Sequence, residues 1–170
     1  MKKAIFFDRD GVINELVPRD GYYYSPRYKS DFKLIPNIIK LINLIREKGY
    51  KILVVSNQPD IARGLMSALE LQKITDILFN KLKIDDVFYC IHDDLDNCEC
   101  RKPKPGLILE AKKKWNINLK KSLMIGDTQK DLEAASSAGV KFLLINTNYN
   151  KKINNCTKID KLDQIIEYLN

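Results

Sequence analysis

The sequence predicts an α/β fold in which a parallel sheet is covered by helices on both faces. Short apolar segments typical of buried strands alternate along the chain with segments whose apolar residues recur at helical spacing. The strand-like segments are nearly continuous apolar runs, as expected for strands covered on both faces. With 170 residues, 45% of them apolar and 30% charged, we expect one doubly wound globular domain over residues 1–170.

The predicted elements follow one another in order, each with its own residue pattern. The first helical segment carries evenly spaced isoleucines and leucines and is followed by Gly49, a residue type that commonly ends helices. Ser67 is placed to cap the second helix, and Gly139 to end the fourth. In chain order the prediction is strand Ala4–Phe7, helix Ile38–Lys48, strand Tyr50–Ser56, helix Ser67–Lys83, strand Val87–Ile91, helix Leu107–Trp115, strand Ser122–Ile125, helix Gln129–Ala138, strand Lys141–Ile145 and helix Leu162–Leu169.

The net charge of +7 comes mainly from lysine. A nucleic-acid-binding face would concentrate such charge in one patch or stripe. Here the basic residues are scattered, so we favour a lysine-rich surface with a site for an anionic ligand, and we expect no nucleic-acid partner. The chain lacks an apolar run of the roughly 18 residues that a membrane span requires, and its start does not resemble a signal peptide. We therefore expect a cytoplasmic protein with no membrane partner.

Two carboxylates, Asp8 and Asp10, follow the first predicted strand. Residues two apart on an extended chain point to the same side, so both can face one reacting group. One of them can attack a phosphorus atom while the other moves a proton. A surface turn after an edge strand is the competing interpretation of this pair alone.

Further polar residues follow the later strands, at the rim where ligands bind in parallel α/β sheets. Ser56 offers a hydroxyl suited to a phosphate oxygen, with an ordinary serine cap as an equal alternative. Asp127 would lie beside Asp8 and supply a second carboxylate for Mg²⁺, which prefers oxygen ligands. Asp131, one helical turn further, either reinforces that site or is a first-turn acid that favours the helix dipole.

Cysteine and histidine are concentrated in one short window. Three of the four cysteines and the single histidine form the pattern Cys-x-His-x5-Cys-x-Cys, at Cys90, His92, Cys98 and Cys100. Three thiolates and one imidazole make a closed tetrahedral Zn²⁺ site, which indicates a structural role. A disulfide is the alternative, and a reducing cytosol disfavours it. Cys156 lies outside the window and is expected to be an ordinary thiol.

Two basic residues come directly after this window. Lys102, beside Arg101, is a natural charge clamp for a transferred phosphoryl group. Pro103 and Pro105 would stiffen the segment that holds it. Since zinc would order the loop that carries both basic residues, we expect metal binding and substrate clamping to be coupled.

Taken together, these segments resemble the haloacid dehalogenase-like phosphatases. Within them, the chain is similar to the group without a large cap domain that contains heptose-bisphosphate and histidinol-phosphate phosphatases. The resemblance extends from residue 4 to about residue 145. The matching segments are Phe7–Asn14, Gly21-Tyr22, Ser25-Pro26, Ser56–Gln58, Ile61–Gly64, Cys90, His92, Cys98, Cys100–Gly106, Gly126-Asp127, Asp131 and Ala134-Ala135.

The resemblance implies a Rossmann-like fold without a large cap domain and with a zinc-binding loop. It implies that Asp8 is the nucleophile that forms an aspartyl-phosphate, while Asp10 protonates the leaving oxygen and then activates water. It assigns Mg²⁺ to Asp8, Asp127 and the backbone carbonyl of Asp10. It assigns the phosphoryl oxygens to Ser56 and Lys102. Phosphoryl transfer depends on such positioning and charge neutralisation.

The resemblance also implies a substrate. Asn57, Arg63 and Arg101 match positions that meet the sugar or its second phosphate, and a bisphosphate would suit Arg101. Thr128 departs from the basic residue often found at its position, and the pair Pro59-Asp60 departs from the usual small residues. We expect a Mg²⁺-dependent phosphatase that removes the C7 phosphate of D-glycero-D-manno-heptose 1,7-bisphosphate.

Three alternatives remain open from the sequence. A histidinol-phosphate phosphatase is the first. A nucleic-acid 3′-phosphatase would use the +7 charge, although the sequence gives no sign of an aromatic and basic groove. A zinc-stabilised binding module without activity is the third. For the favoured function we expect catalytic Mg²⁺, structural Zn²⁺, a small phosphorylated sugar as partner, and a monomer.

Overall fold

One parallel sheet of six strands organises the computed structural model, which describes residues 1–169; Asn170, the last residue of the predicted domain, lies outside the described residues. In chain order the strands are β1 (Ala4–Phe7), β2 (Val17–Arg19), β3 (Tyr22–Tyr24), β4 (Lys51–Asn57), β5 (Asp86–Cys90), β6 (Leu123–Gly126), β7 (Lys141–Ile145) and β8 (Thr157–Ile159). The sheet order is β5-β4-β1-β6-β7-β8, with every neighbouring pair parallel. Strands β2 and β3 form a separate antiparallel hairpin.

Helices cover both faces of the sheet. They are α1 (Ile38–Glu47), α2 (Ala68–Ile77), α3 (Gly106–Trp115) and α4 (Gln129–Ala138). In β1, Ile5 and Phe7 pack into the core beneath α1 and α2, while Ala4 and Phe6 pack into the core beneath α3 and α4. Because each face of the strand is buried, all four residues are apolar, and the predicted doubly wound fold is confirmed.

The predicted helix ends are confirmed in detail. The Ser67 hydroxyl accepts a hydrogen bond from the Glu70 backbone N–H at 3.2 Å, as an N-cap residue does. Gly49 and Gly139 adopt φ angles of +80° and +74°, a left-handed conformation that ends α1 and α4. Most predicted boundaries lie within one or two residues of the observed ones.

Two helix predictions were wrong in length or type. The segment predicted as one helix over Ser67–Lys83 ends as α-helix at Ile77 and continues as a π-helical stretch, Leu78–Leu82. The wider turn keeps Leu78 and Leu82 both buried. The predicted last helix, Leu162–Leu169, is a 3₁₀ helix over Leu162–Tyr168 that buries only Ile165 fully.

Three short strands were not predicted at all. Strands β2, β3 and β8 each have three residues, which is too few for a period-two pattern to stand out. Between β1 and α1 the described chain inserts only the β2–β3 hairpin and one short 3₁₀ turn, too little for a cap domain. Within residues 1–169, no helix combines the length and apolar character needed to cross a membrane.

The strand order places the polar strand ends side by side. Since β5, β4, β1 and β6 are successive neighbours, their carboxyl ends share one rim of the sheet. Asp8 follows β1, Ser56 and Asn57 end β4, Cys90 ends β5, and Asp127 follows β6. The rim that the sequence predicted is therefore present, and it is the place where ligands bind in such sheets.

Candidate active site

A cavity of about 750 Å³ opens at this rim. Most of its lining residues come from the loops after β1 and β6, the end of β4, the β2–β3 hairpin, and the pair Arg101 and Lys102. Its lining includes seven of the predicted site residues, namely Asp8, Asp10, Ser56, Asn57, Arg101, Lys102 and Asp127. It also includes residues that the sequence analysis did not single out as ligands, among them Tyr22, Tyr23, Tyr24, Lys130 and Tyr149.

Three buried carboxylates lie together at the cavity, and two of them, Asp8 and Asp127, line it. Asp8, Asp127 and Asp131 place carboxylate oxygens within 4.8 Å of one another, and each residue is at most 8% exposed. Within the described part of the chain, one cation forms ion pairs with them: Lys102 Nζ lies 2.9 Å from Asp8 Oδ1 and 2.5 Å from Asp131 Oδ1. The cluster therefore carries excess negative charge, and Asp127 Oδ1 is buried with no hydrogen-bond partner among residues 1–169. A hard divalent cation such as Mg²⁺ fits this donor set.

The crowding of acids raises their pKa values. Burial, and then the charge of Asp131, raise the pKa of Asp8 to about 7. Burial, and then the charges of Asp8 and Asp131, hold the pKa of Asp127 well above its usual range. A bound divalent cation would be the largest local charge and would reverse this by favouring the ionised carboxylates.

Lys102 is fixed at both its ends. Burial disfavours its ammonium, but the charges of Asp131 and Asp8 hold its pKa above the ordinary value. Its Nζ also donates to the Val55 carbonyl at 3.1 Å. Its backbone N–H donates to Asn57 Oδ1, and Asn57 Nδ2 donates to the Lys102 carbonyl, both at 3.0 Å. Asn57 thus positions the segment that carries the lysine.

Asp10 is surrounded by hydrogen-bond donors. Arg9 donates to both of its oxygens at 3.0 Å, Asn14 Nδ2 to Oδ1 at 2.9 Å, and Gln58 Nε2 to Oδ2 at 2.7 Å. Burial disfavours ionisation, but the charge of Arg9 and these hydrogen bonds hold the pKa of Asp10 below its usual range. These hydrogen bonds hold the Asp10 carboxyl group in a fixed orientation. Gln58 also donates to the Ser56 hydroxyl at 3.0 Å, which links the two strand ends.

Gly11 allows Asp127 to approach the loop after β1. Its φ is +84°, and a Cβ there would collide with the Asp127 carboxylate. The glycine after the aspartate pair is thus required both for the backbone conformation and for the close approach.

Thr128 and Asp131 together begin α4. The Thr128 hydroxyl donates to Asp131 Oδ2 at 2.5 Å, and its backbone N–H donates to the same oxygen at 3.0 Å. The two residues form a capping box, so Asp131 is a first-turn acid. The interpretation of Asp131 as a first-turn acid is therefore confirmed, while its other oxygen pairs with Lys102.

The four residues of the predicted zinc window come together. Cys90 Sγ lies 3.6 Å from Cys98 Sγ and 3.6 Å from His92 Nδ1, while Cys100 Sγ lies 3.4 Å from Cys98 Sγ and 3.3 Å from His92 Nδ1. A tetrahedral Zn²⁺ with Zn–S bonds of about 2.3 Å has S–S edges of about 3.8 Å. The cysteines are free thiols, so the disulfide alternative is not observed. The arrangement fits a zinc ion.

Both predicted substrate-binding arginines contact acids in the segment between His92 and Cys98. Arg63 donates to both oxygens of Asp93, which lowers the pKa of Asp93 to about 2. Arg101 Nε donates to Asp94 Oδ1 at 2.8 Å. Arg101 lines the cavity, whereas Arg63 lies outside its described lining.

Sequence reasoning missed Arg9 and Tyr149. Arg9 is fully buried, although a charged residue after a strand normally indicates a solvent-exposed turn. Its position between two aspartates was the one available signal. The Tyr149 hydroxyl donates to Asp127 Oδ2, and its ring packs against Tyr23 of the hairpin with centroids 5.9 Å apart. Tyr149 lies in the loop after β7, where no sequence pattern marked it.

The fold and the acidic site together define a class of protein. The sequence pattern of the haloacid dehalogenase-like hydrolases matches residues 19–145, and the chain belongs to that family. The predicted resemblance is confirmed.

Within this family, the chain is similar to several proteins named as heptose-bisphosphate phosphatases. The chain is 36% identical to D-glycero-beta-D-manno-heptose-1,7-bisphosphate 7-phosphatase of Helicobacter pylori, over 98% of this chain and 97% of that protein. It is 33% identical to the alpha-heptose enzyme of Campylobacter jejuni, over 98% and 95%. Among solved structures it is similar to D,D-heptose 1,7-bisphosphate phosphatase from B. bronchiseptica complexed with magnesium and phosphate, with a TM-score of 0.85, 26% identity, and coverage of 98% and 97%.

Proposed function

We propose that this chain is a Mg²⁺-dependent phosphatase that hydrolyses the C7 phosphate of D-glycero-D-manno-heptose 1,7-bisphosphate. The observation that carries the proposal is the buried acid cluster around Lys102, which lies at a cavity able to hold a sugar phosphate. Relatives that share nearly the full length of the chain are named for this reaction. We also propose a monomeric cytoplasmic protein of one domain, residues 1–170, without nucleic-acid or membrane partners.

The reaction proceeds in two steps on this chain's own residues. Asp10 enters the first step in its protonated form. A carboxylate oxygen of Asp8 attacks the phosphorus, the bond from phosphorus to the sugar oxygen breaks, and Asp10 gives its proton to that oxygen and becomes a carboxylate. Asp10 then takes a proton from water, whose oxygen attacks the aspartyl-phosphate and releases inorganic phosphate. The donors around Asp10 fix its orientation and lower its pKa, which favours the carboxylate form that this second step uses.

The remaining predicted residues hold the substrate and the metals. Ser56 and Lys102 bind the phosphoryl oxygens, and Arg101 and Arg63 bind the sugar or its second phosphate. Asp8, Asp127 and the Asp10 backbone carbonyl would hold Mg²⁺, which supplies neutralisation of charge on the transferred group. Cys90, His92, Cys98 and Cys100 would hold Zn²⁺ and order the segment that carries the clamp.

A comparison of substrates tests the proposal. Phosphate release is measured with both anomers of heptose 1,7-bisphosphate and with histidinol phosphate, at saturating Mg²⁺. We expect kcat/KM for at least one heptose anomer to exceed that for histidinol phosphate by about 100-fold or more, because a cavity built for hydroxyl and phosphate contacts rejects an analogue that lacks them. A preference for histidinol phosphate would overturn the heptose assignment in favour of the alternative.

Tyr149→Phe tests how Asp127 is oriented for the metal. The Tyr149 hydroxyl occupies Asp127 Oδ2 and leaves Oδ1 for a cation. We expect the variant to need about 10-fold more Mg²⁺ for half-maximal activity and for half-maximal thermal stabilisation, as is typical when a partner of a ligand is removed. At saturating Mg²⁺, kcat should stay close to the wild-type value. Tyr23→Phe keeps the ring pair and serves as the control; an equal Mg²⁺ requirement in both variants and the wild type would contradict the prediction.

A further inference from the structure

We propose that Asp94 occupies, in the substrate-free protein, the place of the substrate's second phosphate, and that Lys130 joins Arg101 in binding that phosphate. The inference rests on the proposed function, since it needs a bisphosphate substrate. It adds two residues, a competing acid and a further cation, to the arginine contact already proposed.

Three cations from separate segments converge on the Asp94 carboxylate. Arg101 Nε donates to Oδ1 at 2.8 Å, Arg63 Nη2 lies 3.4 Å from Oδ2, and Lys130 Nζ lies 3.7 Å from Oδ1. Arg101 follows the zinc window, Arg63 follows β4, and Lys130 lies in the first turn of α4. A single carboxylate therefore links three segments that have no sequence proximity.

The cations belong to the reaction cavity. Arg101 and Lys130 line the same cavity as Asp8 and Asp10. The side chain of Arg101 is 11% exposed, whereas that of Asp94 is 60% exposed. The partly buried guanidinium is thus a fixed part of the site, while the acid reaches it from the solvent side.

The charges match a phosphate better than a carboxylate. Arg63 pairs more closely with Asp93, through two hydrogen bonds, than with Asp94, so Arg101 and Lys130 are the cations that Asp94 chiefly neutralises. One carboxylate against two cations leaves an excess positive charge. A phosphate monoester carries between about 1.5 and 2 negative charges at pH 7 and would balance both cations. Arginine also binds phosphate through paired donors.

Displacement of Asp94 is easy because its own side chain is 60% exposed to solvent, as are large parts of its partners Arg63 and Lys130. Exposed ion pairs contribute little, and Asp94 starts a 3₁₀ turn of only three residues, Asp94–Asp96. A bisphosphate would therefore push the side chain aside, whereas a monophosphate would leave it in place. Asp94 thus competes with the second phosphate of a bisphosphate for Arg101 and Lys130, and a monophosphate does not have to displace it.

Two substitutions test the inference through substrate-specific effects on KM. Asp94→Asn keeps the size but removes the charge, and we expect it to lower KM for heptose 1,7-bisphosphate about 2- to 5-fold without changing kcat. KM for p-nitrophenyl phosphate, a monophosphate, should stay within about twofold of the wild-type value.

Lys130→Gln should raise KM for the bisphosphate about 5-fold and leave KM for the monophosphate unchanged. Glu99→Gln makes the same charge change on the same loop, at an exposed side chain that pairs with Lys104, and should behave as wild type.

The outcomes separate the two proposals. If the wild type prefers the bisphosphate but Asp94→Asn raises its KM, leaves it unchanged, or shifts both substrates alike, Asp94 only holds the loop and the inference is overturned. A bisphosphate KM that Lys130→Gln leaves unchanged overturns the role of Lys130. If the wild type does not prefer the bisphosphate over the monophosphate, the proposed function fails, and the inference fails with it.

Discussion

Asp8→Asn is expected to abolish phosphate release while leaving the fold intact. An amide cannot form the aspartyl-phosphate, so kcat should fall by more than about 10³-fold, the scale found when a nucleophile is removed. The measurement is steady-state phosphate release from heptose 1,7-bisphosphate at saturating Mg²⁺. Asp76→Asn is a suitable control, because Asp76 is an exposed acid on α2 outside the described cavity lining. Wild-type turnover in Asp8→Asn would refute the role of the nucleophile.

The pKa of Asp8 also predicts how the stability of Asp8→Asn compares with that of the wild type. The folded-state pKa of Asp8 is raised to about 7 from an ordinary 3.8, chiefly by burial. The folded protein therefore binds the proton more tightly than the unfolded chain, and the charge on Asp8 costs stability increasingly as pH rises from about 4 to 7. Asparagine removes that charge, so at pH 7.5 without Mg²⁺ the variant should melt no lower than wild type. Its Tm gain on adding Mg²⁺ should be smaller, which calorimetry or a dye-based melt would show.

The strand ends of the site were predictable from the sequence because the fold class fixes where they lie. An apolar run followed by Asp8, and another followed by Asp127, place both acids at one rim once the sheet is parallel. The adjacency of β1 and β6 then brings the carboxylates together. The zinc residues were predictable for a different reason, since their spacing in the chain is itself the spacing of a metal site.

The partners of these residues could not be predicted in the same way. Arg9 can be buried because Asp10 and Gln58 accept its hydrogen bonds. Gln58 directly follows β4 and comes from a distant part of the chain. A buried arginine without such partners would be strongly destabilising, and the partners meet only in the folded chain. The pairing of Tyr149 with Asp127 likewise joins two loops 22 residues apart. Neither contact leaves a periodic pattern in the sequence.

Removal of the zinc site should lower both stability and activity, and Cys98→Ser tests this. Structural zinc sites supply folding free energy directly, and the four ligand atoms lie close enough to share one ion. We expect the chain from Cys90 to Cys100 to lose a link between its two ends when the ion is absent. We expect a variant with little bound zinc by elemental analysis, a lower Tm, and a kcat/KM reduced by about 10- to 100-fold.

We expect activity to fall because Lys102 is displaced, since Lys102 follows Cys100, the last of the four predicted zinc ligands, by two residues. Asn57 holds the backbone of Lys102, and Asp8 and Asp131 hold its ammonium. Disorder in the segment from Cys90 to Cys100 would therefore weaken these contacts in the cavity. Cys156→Ser is the matched control, because Cys156 lies outside the zinc cluster and should keep zinc, Tm and rate. A Cys98→Ser protein that lacks zinc but retains the wild-type rate would show that the clamp is ordered without the metal.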